Sequence, residues 1–537
     1  MADGRGWRVH AYPPEPAVQV RSGVAQRRPQ RMRALVTAAV WLSFVLSSAH
    51  LRADAAALDG ALPASFIGAA TVAHPVEAGW LGSNPYMSNL GANSMHADGY
   101  ASDTHPWAGP IGRAPTVTIA YKGPCAGLTF TREGLILLQC GGVTNFTLRL
   151  LDPTTLKELA SYNLPPRPST IRAVVNANVD KIYGDSSGAY FYIDNRDRVV
   201  VADAAQQIQR IEHRRSANGA WSFHRDDNWD LTKVLPHDCE TPKNPKPTGE
   251  CDPVTSILPD WHGLLWWVTR HGRVGTIEPQ SGAIAMITIA GEEIENSHAV
   301  SEDGMSVVTD HALYQFVADP RGKPTILWRE TYDRGTARKT GQINQGSGTT
   351  PTFMGHEYVA ITDNADDRMH VNVYKRKASV SGSRLVCSIP VFGHGASASE
   401  NSLIGWDRAM VVENNYGYRT PIPVYGRTTI AGGLTKVAIN EDGRGCHVVW
   451  TSAEISPSSV AKLSRGNGLV YCYTPATTAP SIESWYLTAL DWRSGRTVYK
   501  VKIGTGPIYD NAFGPLTVGP KAVYASIFGG VVRVADS

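Results

Sequence analysis

Acidic and amide side chains recur along this chain at a fixed interval. Glu295-Asn296-Ser297-His298 is echoed 105 residues later by Glu400-Asn401-Ser402-Leu403, and Asp510-Asn511 follows after a further 110 residues. Gly348-Thr349-Thr350-Pro351 and Pro457-Ser458-Ser459 fall midway, so a unit of roughly 50 residues repeats, and alternate units begin with a carboxylate and an amide. Carboxylate and amide oxygens without nearby cysteine make a donor set for a hard cation. Ca2+ takes six to eight oxygens at about 2.3–2.6 Å, whereas Zn2+ would call for His and Cys together, and no His-Glu-x-x-His occurs. The candidate ligands are Glu295, Asn296, Glu400, Asn401, Asp510 and Asn511 at the unit starts, with Asn364 from a turn between them.

Residues so far apart in sequence meet only if the chain closes on itself. A period of this size filled with short strands predicts an all-β fold, a single β-propeller, in which the start of every innermost strand faces one end of an axial channel. Eight similar apolar runs support it: 134–138, 189–193, 264–268, 305–308, 357–361, 409–412, 468–472 and 522–526, each followed by a polar turn. The count favours eight four-stranded blades over seven, starting near 126, 174, 253, 294, 345, 396, 457 and 508. The last blade is one strand short, and Thr116–Tyr121 is placed to complete it and remove the exposed edge. Residues 204–250 read as an insertion in the second blade, and the Gly-, Asn- and Ser-rich stretch 56–115 as an irregular extension draped over the domain.

Blade strands are lettered A to D from the axis outward, so the loops entering A and the B–C turns share one face. The turns assigned there are Asp194-Asn195, Arg270-His271, Asp310-His311, Asp363 to Asp367 and Glu413-Asn414-Asn415, joined by the strand starts with Asn176, Asn178 and the acid–Asn pairs. Asn and Asp favour turns for backbone reasons alone. Carboxylates against a crowded axis are costly unless paired or bound to a cation.

The stretch Ile294-Glu-Asn-Ser-His-Ala-Val-Ser-Glu-Asp-Gly304, with Met305-Ser-Val-Val-Thr-Asp310-His311 after it, resembles the calcium-dependent propeller lactonases and arylesterases, including gluconolactonases and strictosidine-synthase-like proteins. The resemblance implies Ca2+ on Glu295, Asn296, Asn364, Asn401 and Asp510, polarising an ester or lactone carbonyl, with His298 or His311 as base and a small molecule as substrate. A second likeness is local: Asp491-Trp-Arg-Ser494-Gly495-Arg496 is similar to the repeat turn of quinoprotein propellers, with looser copies at Glu278 to Gly282 and Asp152 to Thr155. It implies an alternative, a dehydrogenase holding pyrroloquinoline quinone and Ca2+. A third alternative is a non-enzymatic propeller that binds a ligand or protein on its polar face. Gly395-Ala-Ser397-Ala-Ser399 lacks the second Gly of a nucleophile elbow, and no phosphate loop or Gly-x-Gly-x-x-Gly is present.

The net charge of +3, with no basic stripe interleaved with aromatics, gives no reason to expect a nucleic-acid partner, and the chain is expected to be a monomer. Residues 1–55 read as a targeting segment: arginines at 27, 28, 31 and 33, an apolar run from Ala34 to Leu46, then Ala53-Asp54-Ala55 for cleavage, with Met32 as a conventional start. The apolar run is short for a span of ~20 residues, so a secreted or periplasmic protein without stable membrane insertion is expected. Of seven cysteines, Cys239–Cys251 should close a Pro- and Lys-rich loop, Cys125–Cys140 is a plausible second bridge, and Cys387, Cys446 and Cys472 leave one odd thiol.

Overall fold

The computed structural model describes residues 62–537 except 64, 78, 80–81, 143–144, 167–170, 172–187, 237–238, 241–245, 247–250, 419–429 and 480–481. The targeting segment, and Asn176 and Asn178, lie outside the described residues. Residues 60–537 form one compact unit, an eight-bladed β-propeller of antiparallel sheets.

Blade 1 runs from Cys125–Phe130 to Glu158–Pro166, and blade 3 from Val254–Pro259 to Ile284–Thr288. The A strands of blades 4, 5, 6 and 7 are Ala299–Ser301, Thr352–Met354, Ile404–Trp406 and Lys462–Ser464. Blade 8 takes three strands from the C-terminus, Leu516–Gly519, Ala522–Ile527 and Gly530–Ala535, and its fourth from Thr116–Tyr121, with Val117 opposite Val534 and Ile119 opposite Val532. The ring is therefore closed by an N-terminal strand, as the short final repeat predicts. Apolar B and C strands such as Leu265–Thr269, buried along its whole length, pack blade on blade, with Trp266 and Trp267 fully buried.

Blade 2 departs from the expectation. Tyr192–Ile193 is its A strand, not its B strand; Arg198–Ala202, Gln207–Arg215 and Trp221–Asp230 follow outward. Much of 204–250 is thus not an insertion but the two outer strands, made amphipathic by alternation in Gln207–Arg215. Asp194-Asn195 consequently sits in an A–B turn, on the face opposite the one assigned to it. A period-2 run fixes that a strand exists but not its place in the blade.

The N-terminal stretch is not simply draped outside. Residues 92–105 run around the inside of the ring and accept hydrogen bonds from inner strands in blade order: Ala92 O from Phe130 N (3.3 Å), Asn93 O from Ile193 N (2.8 Å), Gly99 O from Val300 N (2.7 Å), Tyr100 O from Phe353 N (3.0 Å), Ser102 O from Gly405 N (2.9 Å), Asp103 O from Leu463 N (3.0 Å) and His105 O from Arg465 N (2.9 Å). Inner edges of a propeller carry unpaired N–H groups, and this segment satisfies them. Its tight coil puts Ala97, Ala101 and Asp103 at positive φ (73°, 52° and 51°). A fully buried ion pair, Asp103–Lys462, anchors it, with His96 Nδ1 3.3 Å from the same carboxylate.

Three disulfides are present: Cys125–Cys140, Cys239–Cys251 and Cys387–Cys446, and Cys472 is the buried free thiol. The third joins the D strands of blades 5 and 6, Leu385–Pro390 and Cys446–Ser452. Among the described residues no helix is long and apolar enough to cross a membrane.

Candidate functional site

The two Glu-Asn pairs enter their blades on the same face and bring their carboxyl groups together near the axis. Glu295, in the loop before blade 4, is 9% exposed, and Glu400, before blade 6, is 6% exposed. Arg270, in the B–C turn of blade 3, donates from Nη1 to Glu295 Oε1 at 2.9 Å and from Nη2 to Asn344 Oδ1 at 2.7 Å. Glu400 Oε2 accepts from Ile343 N at 3.1 Å. Both Ile343 and Asn344 belong to the 332–351 loop, which crosses the end of the channel: Gly348 lies so close to Glu400 that a Cβ there would stand 2.8 Å from Oε2. The remaining oxygens, Glu295 Oε2 and Glu400 Oε1, are buried without a hydrogen-bond partner.

Burial sets the charge state of the pair. It pushes the Glu295 carboxyl from 4.5 up to about 7, against the opposing pull of Arg270. Burial, and then the charge of Glu295, push Glu400 well above the carboxylate range. Two such groups in one dry site titrate as a coupled pair. Tyr190, directly below, donates to Asn296 Oδ1 at 2.9 Å and stacks on His96 with ring centres 5.7 Å apart. Its hydroxyl is driven up in pKa by burial and then by the charges of Glu295 and Glu400.

The recurring asparagines have committed side chains. Asn296 Nδ2 donates to Gly348 O, at the start of blade 5, and Asn401 Nδ2 to Ser459 O, at the start of blade 7. Asn401 also donates to Glu413 Oε2 at 3.2 Å. Each amide therefore ties one blade to the next, which is a structural reason for the repeat. Asn511 Nδ2 ties the entry to blade 8 to Ser526 O on the strand Ala522–Ile527, at 2.7 Å. Asn364 Nδ2 holds the carbonyls of Arg334 (2.9 Å) and Ala337 (3.1 Å), so it staples the 332–351 loop.

Asp510 is occupied elsewhere, accepting from Tyr418 Oη and from Ala512 N, both at 2.9 Å, and burial raises its carboxyl from 3.8 to about 7. His298 is fully buried, its Nδ1 2.6 Å from Ser256 Oγ, and burial lowers its pKa from 6.5 to about 3, so it is neutral. Its Nε2 has no protein partner and lines a cavity of about 10 Å³ with Tyr190 and Met95, room for a single water. His311 stands on the rim, Nδ1 2.9 Å from Asp310 Oδ1, and Asp310 is also paired with Arg334 at 2.8 Å.

The sequence places Arg270 in a turn on the face of the pair but does not mark it as a partner, and nothing local marks Tyr190 or the 342–344 segment, because each reaches the axis from another blade. The quinoprotein-like turns are the same C–D hairpin three times. Asp491 Oδ1 accepts from Ser494 N and Oγ (2.8 and 2.7 Å), Asp152 Oδ1 from Thr155 N and Oγ1 (both 2.8 Å), and Glu278 Oε2 from Ser281 N (2.7 Å). A cleft of about 770 Å³ opens on the opposite face against Trp266, Glu302, His356 and Arg376, but Glu302 is paired there with His356 (2.7 Å) and Arg376 (2.8 Å).

No family profile matches the chain. An uncharacterized protein of Archaeoglobus fulgidus is 27% identical over 319 residues, 53% of this chain and 61% of that protein, so the chain spans less than two thirds of that relative's length. Among solved structures, quinohemoprotein alcohol dehydrogenase from Comamonas testosteroni aligns with a TM-score of 0.48 at 9% identity over 84% of this chain and 80% of that one. BamB from Moraxella catarrhalis aligns at 0.32 and 13% identity over 64% of this chain and 94% of that one. Virginiamycin B lyase from Staphylococcus aureus aligns at 0.32 and 9% identity over 65% and 95%. At these identities the likeness is one of fold.

Proposed function

We propose that the protein is an exported β-propeller hydrolase of small esters or lactones, working at the axial Glu295–Glu400 pair with Ca2+ held there. One observation carries the reading: two buried carboxyl groups stand near each other, and each presents an oxygen that no protein group satisfies. Like charges in a dry site are costly. An oxygen-only pair of this kind suits a hard cation whose other ligands are waters and substrate. Bound there, Ca2+ would supply Lewis acidity toward a carbonyl oxygen.

The chain's own groups divide the remaining work. Arg270 fixes Glu295 by Oε1 and leaves Oε2 free to face the site, and Ile343 N fixes Glu400 by Oε2 and leaves Oε1. Both free oxygens would face the ion, so Glu295 and Glu400 would act as its ligands, and the ion would supply the acidification of an attacking water. His298 is not placed to take that proton, since burial lowers its pKa to about 3 and makes it a weak base, and its Nδ1 is bonded to Ser256 Oγ. Export is supported by the order of basic, apolar and small residues at the N-terminus and by three disulfides.

The test is hydrolysis of an ester and lactone panel by chelator-treated protein, with and without added Ca2+, in wild type, Glu295→Gln and Glu400→Gln. Calcium-dependent turnover lost in both variants supports the reading. Turnover unchanged in both variants and indifferent to calcium sinks it. An absorbance scan of the purified protein for a quinone chromophore distinguishes the dehydrogenase alternative in the same preparation.

A further inference from the structure

On the opposite face, far in sequence from the Glu-Asn repeat, three side chains converge between blades 1 and 2. Glu133 lies in the A–B turn of blade 1, Asp197 in the A–B turn of blade 2, and His213 on the C strand Gln207–Arg215. His213 is buried, 8% exposed, with its ring against Trp221 at 5.6 Å between centres. Its Nε2 lies 3.3 Å from Glu133 Oε2 and 3.4 Å from Asp197 Oδ2. One ring N–H can serve both carboxylates only as a weak three-centre bond. Both separations also exceed the ~2.7–2.9 Å of a charge-assisted hydrogen bond.

The same distances have a simple meaning around an ion. Zn2+ binds His nitrogen and carboxylate oxygen at about 2.0–2.2 Å, and the edge of a tetrahedron with such bonds is about 1.6 times longer, roughly 3.3–3.5 Å. The Nε2–Oε2 and Nε2–Oδ2 separations match two such edges. The third pair of donors also falls within the 4.8 Å that encloses the group. Asp197 is held in place from behind, both its oxygens accepting from Arg132 N at 3.0 Å. We propose that Glu133, Asp197 and His213 form a Zn2+ site that clamps blade 1 to blade 2, with its fourth corner open to solvent beside the exposed Glu133. Zn2+ also takes Asp and Glu oxygens beside His nitrogen, so this set needs no cysteine, and its one nitrogen with two carboxylates favours a borderline cation over the all-oxygen preference of Ca2+. This site is independent of the axial pair.

The test uses the full chain, stripped with chelator and dialysed, then given Zn2+ alone or Co2+ alone, with bound metal measured by elemental analysis and the visible spectrum of tetrahedral Co2+ recorded. Wild type, Glu295→Gln and Glu400→Gln should each take up one Zn2+ per chain and show that spectrum. His213→Gln and Glu133→Gln should lose both. Glu133 is exposed, so its substitution separates loss of the ion from loss of the fold. No uptake by the wild type, or uptake by His213→Gln and Glu133→Gln equal to it, overturns the proposal.

Discussion

Replacing Glu295 by Gln should stabilise the calcium-free protein, by an amount that grows as pH rises from about 4.5 to about 7. Burial raises this carboxyl from 4.5 to about 7, net of the attraction of Arg270. The folded state therefore holds the proton more tightly than the unfolded chain does. Below about pH 4.5 both states are protonated and nothing is lost; as pH climbs to 7 the folded state gives up stability, and above 7 the full penalty applies. At ~1.4 kcal/mol per pKa unit, the penalty is about 3 kcal/mol. Gln keeps the shape and cannot ionise, so Glu295→Gln should be more stable by about that amount at pH 8 and no more stable at pH 4. With ~2 cal/mol/K of unfolding entropy per residue, a domain of this size shifts by about 1 °C per kcal/mol, so a rise of about 3 °C in Tm is expected. Calcium should close the gap, because an ion that binds only the folded wild type contributes ~2.7 kcal/mol at a hundredfold excess over Kd, and should reverse the order at a thousandfold excess, where it contributes ~4.1 kcal/mol. Differential scanning calorimetry in chelator and in calcium, at both pH values, measures all four numbers. A Glu295→Gln protein less stable than wild type at pH 8 in chelator would show that the carboxylate–Arg270 pair is a net stabiliser, and the strained-pair reasoning would fail.

Other expectations follow from the same contacts. Asn401→Ala should cost about 1–3 kcal/mol in denaturant unfolding, because it strands Ser459 O in the interior and takes one donor from Glu413, which keeps Ser456 Oγ and Ala461 N, yet leave any calcium response intact. Lys462→Met removes the sole ammonium from the fully buried Asp103 pair and should cost about 3–5 kcal/mol by chemical denaturation, with increased protease cutting in 92–105 if that segment loosens as expected. Replacing Cys387 and Cys446 together by Ser opens a bridge spanning 59 residues, and by loop-closure entropy should cost about 4 kcal/mol in a guanidinium melt.

Much of the ring was legible from the sequence because propeller B strands are buried on both sides and read as short apolar runs. Seven of the eight expected runs, such as Met305–Val308 and Ala409–Val412, are B strands. The eighth, at 189–193, is equally apolar but ends in the A strand Tyr192–Ile193, and the register of blade 2 slipped with it. Thr116–Tyr121 was legible because the final repeat lacked a strand and the chain offered a detached one. The path of 92–105 was not, since its partners are single inner-strand amides scattered from Phe130 to Arg465. At the site, the repeat pointed to Glu295 and Glu400, whose buried carboxyls interact in the folded chain. It could not tell a ligand from a staple, because an amide that ties Asn401 to Ser459 recurs with the blade period just as a ligand would. His298 illustrates the same limit: its polar neighbours in sequence gave no sign that the ring would turn inward onto Ser256.

The most direct measurement is diffraction from crystals of the chelator-treated protein soaked in calcium, with anomalous data collected to locate the ion. The account predicts one strong peak between Glu295 Oε2 and Glu400 Oε1, at about 2.3–2.6 Å from each, and none there in Glu400→Gln crystals. Calcium found only elsewhere, or an empty pair with Glu295 and Glu400 hydrogen-bonded to each other, would contradict it.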